Sequence, residues 1–385
     1  MDLLGAFLLG LPLLLLLYAY IGYPALLWVF ARRRLPAIPD PEVWPELTIV
    51  LPVHNESRVV ALTLDSLLAL DYPADRRSVL VVSDASTDGT DDIVRQYADR
   101  GVRLVRLAER RGKTAAENEA GKHVAGDIIV STDATTRIQD GALKALVKVF
   151  ADADIGVASG RDVSVAGVGG TDSGAESRYV GYEMWLRELE TRFGGIVGAS
   201  GCFFAIRRDL FTRLFPEALS RDFASPLLAK EFGYRSVSVN EAICYVPRAR
   251  SLKVEFRRKI RTMARGLDTL WYRRPLINPW KYPRFAFQLL SHKLARWLVF
   301  LVAPLGLAGL LLLALGHEWA RWLLVVTTLG IGLGALAMVW PEGRRLPRVL
   351  AILGFALGSN VAGFIAWVKA LRGERNPVWE PTRRG

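Results

Sequence analysis

Three stretches of sequence decide the fold: LTIVLPVHNES over residues 47–57, VLVVSDASTDGT over residues 79–90 and DIIVSTDATT over residues 127–136. Each begins as a short apolar run rich in β-branched residues and ends in small or polar residues. Such runs are typical of buried β-strands. They predict strands over Leu47–Val53, Val79–Ser83 and Asp127–Ser131, and Val102–Leu107 has the same character.

Helical periodicity separates these strands, over Val59–Leu70, Asp91–Ala98 and the residues after Lys113 and Gln139. Alternation of strands and helices is typical of a mostly parallel sheet covered by helices on both faces. The fold class predicted for this region is therefore α/β and Rossmann-like. Ligands of such sheets bind beyond the carboxyl ends of the strands, so the residues there are the first candidates for a site.

The predicted strand ends carry carboxylates in two places, because Asp84 and Asp133 each directly follow buried-type residues. Asp88-Gly89 has a simpler interpretation as a turn followed by a helix cap. The segment Arg110–Lys113 is suited to embrace a phosphate at a helix start, although a solvated loop is the more common use of such residues. Polar groups at neighbouring strand ends indicate one site for a polar ligand.

Both ends of the 385-residue chain are apolar. Leu3–Phe30, Trp297–Leu315, Trp322–Trp340 and Val349–Val368 are each long enough to cross a hydrocarbon core of about 30 Å. The first segment lacks the early positive charge and the cleavage site of a signal peptide. With two cysteines and four histidines, a disulfide scaffold, a thiolate zinc site and a His-rich metal centre are all disfavoured.

Positive charges next to the apolar segments predict their orientation. Arg32–Arg34, then Lys281, Arg284, Lys293 and Arg296, and then Arg344, Arg345 and Arg348 favour a cytoplasmic location for each flank. If all four segments cross, the basic tail after Lys369 lies outside, against the rule. Either one late segment is re-entrant or interfacial, or this tail is an exception.

The net charge of +12 is concentrated in these flanks, because residues 257–296 alone hold 11 Lys and Arg and one acidic residue, Asp268. Phe256–Leu267 has the pattern of a basic amphipathic helix at a membrane interface. Anionic membrane lipids are therefore the expected counter-surface, and the basic pI does not argue for nucleic acid. The oligomeric state stays open.

The sequence thus divides into six expected parts. These are a membrane helix with its basic flank (1–34), a Pro-rich linker (35–46), an α/β domain (47–250), basic interface helices (251–296), three late membrane segments (297–370) and a tail (371–385).

The motifs of the middle region resemble those of the family 2 glycosyltransferases, whose catalytic domain has the GT-A fold. The matching stretches are Val50–Glu56, Ser83–Thr90, Gly112-Lys113 with Asn118, Thr132–Thr135, Gly198–Gly201 with Ala205–Arg208, and Arg221–Phe223. Six motifs in register make coincidence improbable. The flanking spans resemble the membrane-bound branch that includes cellulose, hyaluronan and poly-N-acetylglucosamine synthases.

The resemblance implies a binding site for a nucleotide-diphosphate sugar. Pro52, Asn55, Glu56 and Asp84 would hold the nucleoside, and Lys113 would lie near the diphosphate. Asp133 takes the place of the first carboxylate in the family's Asp-x-Asp motif, which binds a divalent cation, here expected to be Mg²⁺ or Mn²⁺. Thr135 replaces the second carboxylate and is a weaker, neutral ligand.

Asp222 matches the family's catalytic base, which takes a proton from the acceptor hydroxyl as that oxygen attacks the donor with inversion. A contact from Arg221 would make Asp222 a weaker base, and the plain alternative for Asp222 is a helix N-cap before Phe223–Phe232. The processive synthases carry Gln-x-x-Arg-Trp where this chain has Thr262–Gly266. Only Arg265 matches, and it is expected near the pyrophosphate.

The leading hypothesis is therefore an inverting glycosyltransferase in the inner membrane, with its catalytic domain in the cytoplasm and a lipid-linked saccharide or polysaccharide as acceptor. The alternatives are a processive synthase that exports its polymer and a non-catalytic membrane scaffold that keeps the fold. A transporter is disfavoured, because the late spans carry scarcely any ionisable residue.

Overall fold

A computed structural model describes residues 1–31, 38–165, 175–247, 251–341, 344 and 346–374, with no side-chain placement for 175–178. The basic flank Arg32–Arg34, the beginning of the Pro-rich linker, Arg345 and the last eleven residues of the tail lie outside the described residues.

The N-terminal apolar segment is a continuous helix that runs from Asp2 to Phe30. It consists of α1 (Asp2–Leu17), a π-helical turn (Tyr18–Gly22) and α2 (Tyr23–Phe30). The α/β domain follows, and its elements are, in chain order, β1 (Leu47–Val53), α3 (Val60–Leu68), β2 (Arg77–Ser83), α4 (Thr90–Arg95), β3 (Val102–Arg106), α5 (Lys113–Ala120), β4 (Ile128–Thr132), β5 (Arg137–Ile138), α6 (Ala142–Lys148), β6 (Ile155–Val165), α7 (Ala175–Phe193), β7 (Phe203–Arg207), α8 (Arg208–Phe211), α9 (Arg221–Glu231) and β8 (Arg235–Pro247).

The late helices are α10 (Leu252–Tyr272), α11 (Pro283–Gln288), a π-helical segment (Leu289–Ala295), α12 (Arg296–Ala314), α13 (Glu318–Met338) and α14 (Arg348–Leu371). Within the described residues, four helices are long and apolar enough to cross a membrane: Asp2–Phe30, Pro283–Ala314, Glu318–Met338 and Arg348–Leu371. They coincide with the four segments predicted from the sequence, except that the second and third helices end at Ala314 and Met338, shortly before the predicted ends at Leu315 and Trp340.

The strands form one eight-stranded sheet in the order β3-β2-β1-β4-β7-β6-β8-β5. The half built from β1 to β4 is parallel, as predicted, and its carboxyl ends meet at one edge. Antiparallel pairing of β7 with β4 and with β6 makes the sheet mixed. The site is therefore expected where β1, β2 and β4 end side by side.

Alternation along β1 explains why helices cover both faces of the sheet. Leu47, Ile49 and Leu51 point into one core, which α3 and α6 complete. Val50 points into the opposite core, where side chains of α5 and α9 pack against it. Because both faces are buried, the strand reads as a continuous apolar run with no polar side.

The membrane helices pack closely through glycines. A Cβ on Gly309 of α12 would lie 2.5 Å from the backbone nitrogen of Leu9 in α1, and one on Gly363 of α14 would lie 2.4 Å from Phe300. Small residues at such contacts allow helices to approach closely, which is how helices associate in lipid.

Two of the basic residues used to predict orientation have another role. Lys293 and Arg296 lie inside the protein, where both approach the Glu183 carboxylate of α7, at 3.8 and 2.8 Å. The sequence cannot show that α7 supplies a carboxylate at this depth, and the cytoplasmic location of this flank stays a prediction. The exposed Lys281 and Arg284 remain in that flank.

Candidate functional site

The loops after β1 and β2 form a rigid corner. Asn55 has a φ of 54°, and its side-chain oxygen accepts a hydrogen bond from the Thr87 backbone at 2.7 Å. The Glu56 backbone N–H donates to the hydroxyl of Thr90 at 2.9 Å. Pro52 lies buried within β1, opposite Val82. Asn55 and Glu56 are thus placed at the edge of the cleft.

Asp88 has a structural role in this corner, as its turn-and-cap interpretation predicted. Its carboxylate accepts hydrogen bonds from the backbone of Ser57 at 3.0 Å and of Thr90 at 3.1 Å. Burial would raise the pKa of this carboxyl, but the hydrogen bonds from Thr90 and Ser57 lower its pKa to about 2. Asp88 therefore stays ionised and ties the two loops together.

Asp84 is buried at the end of β2, where it fixes the turn that starts α5. Its two carboxylate oxygens accept the backbone N–H groups of Arg111 at 2.7 Å and of Gly112 at 2.8 Å. Gly112 has a φ of +96°, a conformation that favours glycine. Removing the carboxylate would leave one buried and one half-buried donor unpaired, at a cost of about 1–3 kcal/mol for the buried one. A nucleoside contact of Asp84 stays a prediction.

Lys113, the first residue of α5, bridges two parts of the cleft, the turn after β4 and the Gly194–Gly201 loop. Its ammonium donates to Asp133 Oδ1 at 2.6 Å and to the backbone oxygen of Gly201 at 2.8 Å. Although burial lowers the pKa of Lys113, the carboxylates of Asp133 and Glu117 raise it above its ordinary value. The residue is therefore a permanent cation where a diphosphate is expected.

Asp133 and Thr135 follow β4 in a tight turn, closed by a hydrogen bond from the Thr136 N–H to the Asp133 carbonyl at 3.1 Å. Among the described residues, no group of three or more His, Cys, Asp and Glu side chains converges to hold a metal ion. One carboxylate and one hydroxyl do fit Mg²⁺ or Mn²⁺ when the remaining ligands are diphosphate oxygens and water. Thr135 as a metal ligand stays a prediction.

Asp222 lies in the first turn of α9 and faces Lys113 across the cleft. Ser220, not Asp222, is the N-cap residue, so the N-cap alternative was wrong. The Ser220 hydroxyl donates to Asp222 Oδ1 at 2.5 Å. The other oxygen, Oδ2, lies 2.9 Å from the position that a Cβ on Gly201 would occupy. The carboxylate is thus held against the Gly201 backbone.

Arg221 makes no contact that would weaken Asp222 as a base, because it turns to the opposite side of α9. Its guanidinium donates to Asn118 Oδ1 at 2.8 Å and lies over the rings of Phe211 and Phe215. Burial lowers the pKa of Arg221 to about 10, so it stays charged at neutral pH. It anchors α9 to α5, and the catalytic role of Asp222 stays a prediction.

Arg265 reaches from α10 into the domain. It donates to Thr114 Oγ1 at 2.9 Å and to the backbone oxygens of Glu217, at 3.2 Å, and Leu219. It is therefore adjacent to Lys113 and holds the segment that leads into Asp222. A pyrophosphate contact of Arg265 stays a prediction.

Sequence reasoning missed two of the residues that hold the Gly194–Gly201 loop, Arg187 and Gln288, whereas Ser200 belongs to the Gly198–Gly201 motif. Ser200 donates to Asp162 Oδ1 at 2.6 Å, and Arg187 donates to the Ala199 carbonyl at 3.3 Å. Gln288, from α11, donates to the Gly195 carbonyl at 2.8 Å. Neither Arg187 nor Gln288 lies in a motif, so no sequence signal could have found them.

The contact between Gly201 and Asp222 gives a first testable prediction. Gly201→Ala is expected to lower kcat by about a hundredfold, because the new Cβ displaces the carboxylate from its position. The melting temperature should change little, since a flexible side chain can move aside. Gly181→Ala is the matched control, because nothing lies within 4 Å of its Cβ position. Unchanged kcat in Gly201→Ala would show that the Asp222 position is not critical.

The sequence is similar to a family model and to curated proteins. Residues 48–215 match the family model described as Glycosyl transferase family 2. The chain is 27% identical over 236 residues to a probable glycosyltransferase, YdaM, of Bacillus subtilis. The aligned region covers 58% of this chain and 55% of that protein. It is 26% identical over 224 residues to an N-acetylglucosaminyltransferase of Neorhizobium galegae, covering 53% of this chain and 51% of that protein. The chain thus spans about half the length of these two relatives.

Two further similarities are to a polysaccharide synthase and to a solved structure. The chain is 31% identical over 105 residues to the poly-beta-1,6-N-acetyl-D-glucosamine synthase of Staphylococcus epidermidis, covering 27% of this chain and 25% of that protein. Among solved structures, the mannosyltransferase PcManGT from Pyrobaculum calidifontis, in complex with GDP-Man and Mn²⁺, superposes with a TM-score of 0.74 at 24% identity. It covers 96% of this chain and 100% of its own. The α/β domain therefore has the GT-A fold, as the motifs implied.

Proposed function

Because residues 48–215 form a glycosyl transferase family 2 domain, we propose that the chain is an inverting glycosyltransferase of the inner membrane, with its catalytic domain in the cytoplasm. It transfers a sugar from a nucleotide-diphosphate sugar to a lipid-linked saccharide or polysaccharide. The four apolar helices support the membrane location, and exposed Lys281 and Arg284 support the cytoplasmic side.

One observation carries the proposal: Lys113, Asp133 and Asp222 converge on Gly201. Lys113 contacts both Asp133 and the Gly201 carbonyl, and Asp222 Oδ2 lies 2.9 Å from the position that a Cβ on Gly201 would occupy. A diphosphate bound between Lys113 and Asp133 would present its sugar to Asp222. A cation for the donor, a base for the acceptor and a carboxylate for a metal ion thus surround one cleft.

The reaction that this geometry supports is a single displacement. Asp222 accepts the proton of the acceptor hydroxyl while that oxygen attacks the anomeric carbon, and the nucleoside diphosphate departs toward Lys113. Ser220 orients the carboxylate through its 2.5 Å hydrogen bond. Mg²⁺ or Mn²⁺, held by Asp133 with Thr135 and the diphosphate, would supply charge neutralisation for the leaving group. The nucleoside would lie toward the corner formed by Asn55 and Glu56.

A donor screen tests this function. The detergent-solubilised protein is incubated with a panel of UDP-, GDP- and dTDP-sugars, with and without Mn²⁺, and release of nucleoside diphosphate is measured. We expect release from one donor or a small set, and only with the cation present. Release from no donor by folded protein, in the presence of membrane lipid extract as acceptor, would favour the scaffold hypothesis.

The similarity to a poly-beta-1,6-N-acetyl-D-glucosamine synthase favours a second candidate, a processive synthase. Only the Arg265 of the family's Gln-x-x-Arg-Trp motif is present, and it binds Thr114 and nearby carbonyl oxygens. Product length separates the two candidates: transfer of one sugar supports the leading function, and long polymers at low enzyme concentration support processivity.

A further inference from the structure

A cluster of buried charges lies where the membrane helices meet the α/β domain. Its members are Glu183, Arg187 and Glu190 on α7 together with His292, Lys293 and Arg296, and they are called here the junction cluster. His292 bridges the two carboxylates, at 2.9 Å from Glu183 and 2.7 Å from Glu190. A charge network at this depth is costly unless it is fully paired or serves a ligand.

The charges of the junction cluster do not balance. Three basic side chains, Arg187, Lys293 and Arg296, face two carboxylates, so one positive charge is in excess when all three are charged and His292 is neutral. All three cations share the one carboxylate of Glu183, at 3.7, 3.8 and 2.8 Å. Glu190 is engaged by Tyr23 and His292 through a single oxygen.

Donor groups in the cluster are also left over. Arg296 is 4% exposed, and its Nε and Nη2 have no hydrogen-bond acceptor in the described part of the chain; the same holds for Arg187 Nε. One acceptor, Glu190 Oε2, is likewise unpaired. The excess of unpaired donors over acceptors, with one surplus positive charge, is suited to an anion.

Lys293 connects this cluster to the acceptor side of the cleft. Its Nζ lies 3.4 Å from the Cβ position of Gly198 and 5.7 Å from the ring centroid of Phe223. Phe223 follows Asp222, whose carbonyl accepts the Ala199 N–H at 3.1 Å. The Lys293 ammonium therefore lies against the ring of the residue that follows the proposed base in sequence.

The other side of the cluster faces the first membrane helix. The Arg296 guanidinium lies over the rings of Tyr20 and Tyr182, at 5.1 and 5.2 Å. The Tyr182 hydroxyl donates to the Tyr20 carbonyl at 3.0 Å. The cluster thus lies between the apolar helices and the loop that borders Asp222, where an acceptor arriving from the membrane would pass.

We propose that Lys293, supported by Arg296 and Arg187, binds the phosphate group of an acceptor carried on a membrane lipid. This proposal rests on the proposed function. It narrows the acceptor of that reaction to a saccharide attached to a membrane lipid through a phosphate or diphosphate. Of the three cations, Lys293 has the weakest partner in the cluster, and its side chain is 17% exposed, so it is the one that an incoming phosphate can reach. The two arginines supply positive potential behind it.

The test compares a charged and an uncharged lipid of the same chain. Binding of farnesyl phosphate and of farnesol to the purified full chain is measured by calorimetry in neutral detergent. We expect farnesyl phosphate to bind at least tenfold more tightly than farnesol, and Lys293→Gln to abolish that difference. Lys281→Gln, an exposed lysine of the same membrane-proximal region, should leave it unchanged. Lys293→Arg should retain it.

Two further measurements test whether phospholipid headgroups, or a loss of the glycosyltransferase activity itself, account for the binding result. Vesicles of phosphatidylglycerol, compared with phosphatidylcholine, should not displace farnesyl phosphate; displacement would make the cluster a site for phospholipid headgroups and overturn the proposal. Nucleotide release from the donor without acceptor reports the glycosyltransferase function itself and should survive in Lys293→Gln. Equal binding of farnesyl phosphate by wild type and Lys293→Gln, with donor turnover intact, would overturn the acceptor site and leave the proposed function standing.

Discussion

Asp222→Asn is expected to abolish sugar transfer while donor binding persists. Asparagine keeps the shape of the side chain and its position against Gly201, but it cannot accept the acceptor's proton. Loss of a general base lowers kcat by about a hundred- to ten-thousandfold. Steady-state sugar transfer measures kcat, and calorimetry with the nucleoside diphosphate and Mn²⁺ measures donor-site affinity, which should change less than twofold.

The control for this variant is Asp209→Asn. Asp209 lies in α8 of the same domain, and its carboxylate makes one long contact, 3.5 Å, with the hydroxyl of Tyr234. Removing that charge should leave kcat unchanged. If Asp222→Asn transferred sugar at the wild-type rate, Asp222 would not be the base, and the convergence at Gly201 would need another explanation.

Asp133→Asn is expected to produce the second large effect, a loss of cation-dependent transfer by roughly a hundredfold or more. Asp133 supplies the only carboxylate of the Thr132–Thr135 turn, and it also pairs with Lys113 at 2.6 Å.

Thr135→Asp should raise the affinity of the site for the cation, because it adds a second carboxylate. The half-saturating Mn²⁺ concentration, from nucleotide release, is therefore expected to fall at least several-fold in Thr135→Asp.

An added carboxylate far from the cleft separates a local ligand from a general change of charge. Thr212→Asp, at an exposed position after α8, should leave the half-saturating Mn²⁺ concentration unaltered. Were Thr135→Asp and Thr212→Asp to behave alike, or Asp133→Asn to keep its full response to Mn²⁺, the cation would not bind at the end of β4.

Much of the fold could be predicted because it depends on local patterns. The β-branched runs that form β1, β2 and β4 are buried on both faces, so their apolar character is visible without knowledge of their neighbours. Parallel pairing then brings Asp84, Lys113 and Asp133 to one edge. The four apolar helices follow from length and composition alone.

What the sequence could not show depends on contacts between distant parts of the chain. Arg221 directly precedes Asp222 in the sequence, yet it turns to Asn118, 103 residues away. Lys293 and Arg296 read as a basic flank until α7 supplies Glu183. The Ser220 cap depends on where α9 begins, and helix boundaries are the least predictable feature of a sequence.

Single displacement at Asp222 is tested most directly by the anomeric configuration of the first product. The sugar donor identified by nucleotide release is supplied with acceptor, and proton NMR of the isolated product gives the configuration at the transferred carbon. We expect inversion relative to the donor with wild-type protein, and at most about a hundredth of that product in the same time with Asp222→Asn. Retention of configuration, or the same inverted product at the same rate from Asp222→Asn, would contradict the proposed mechanism.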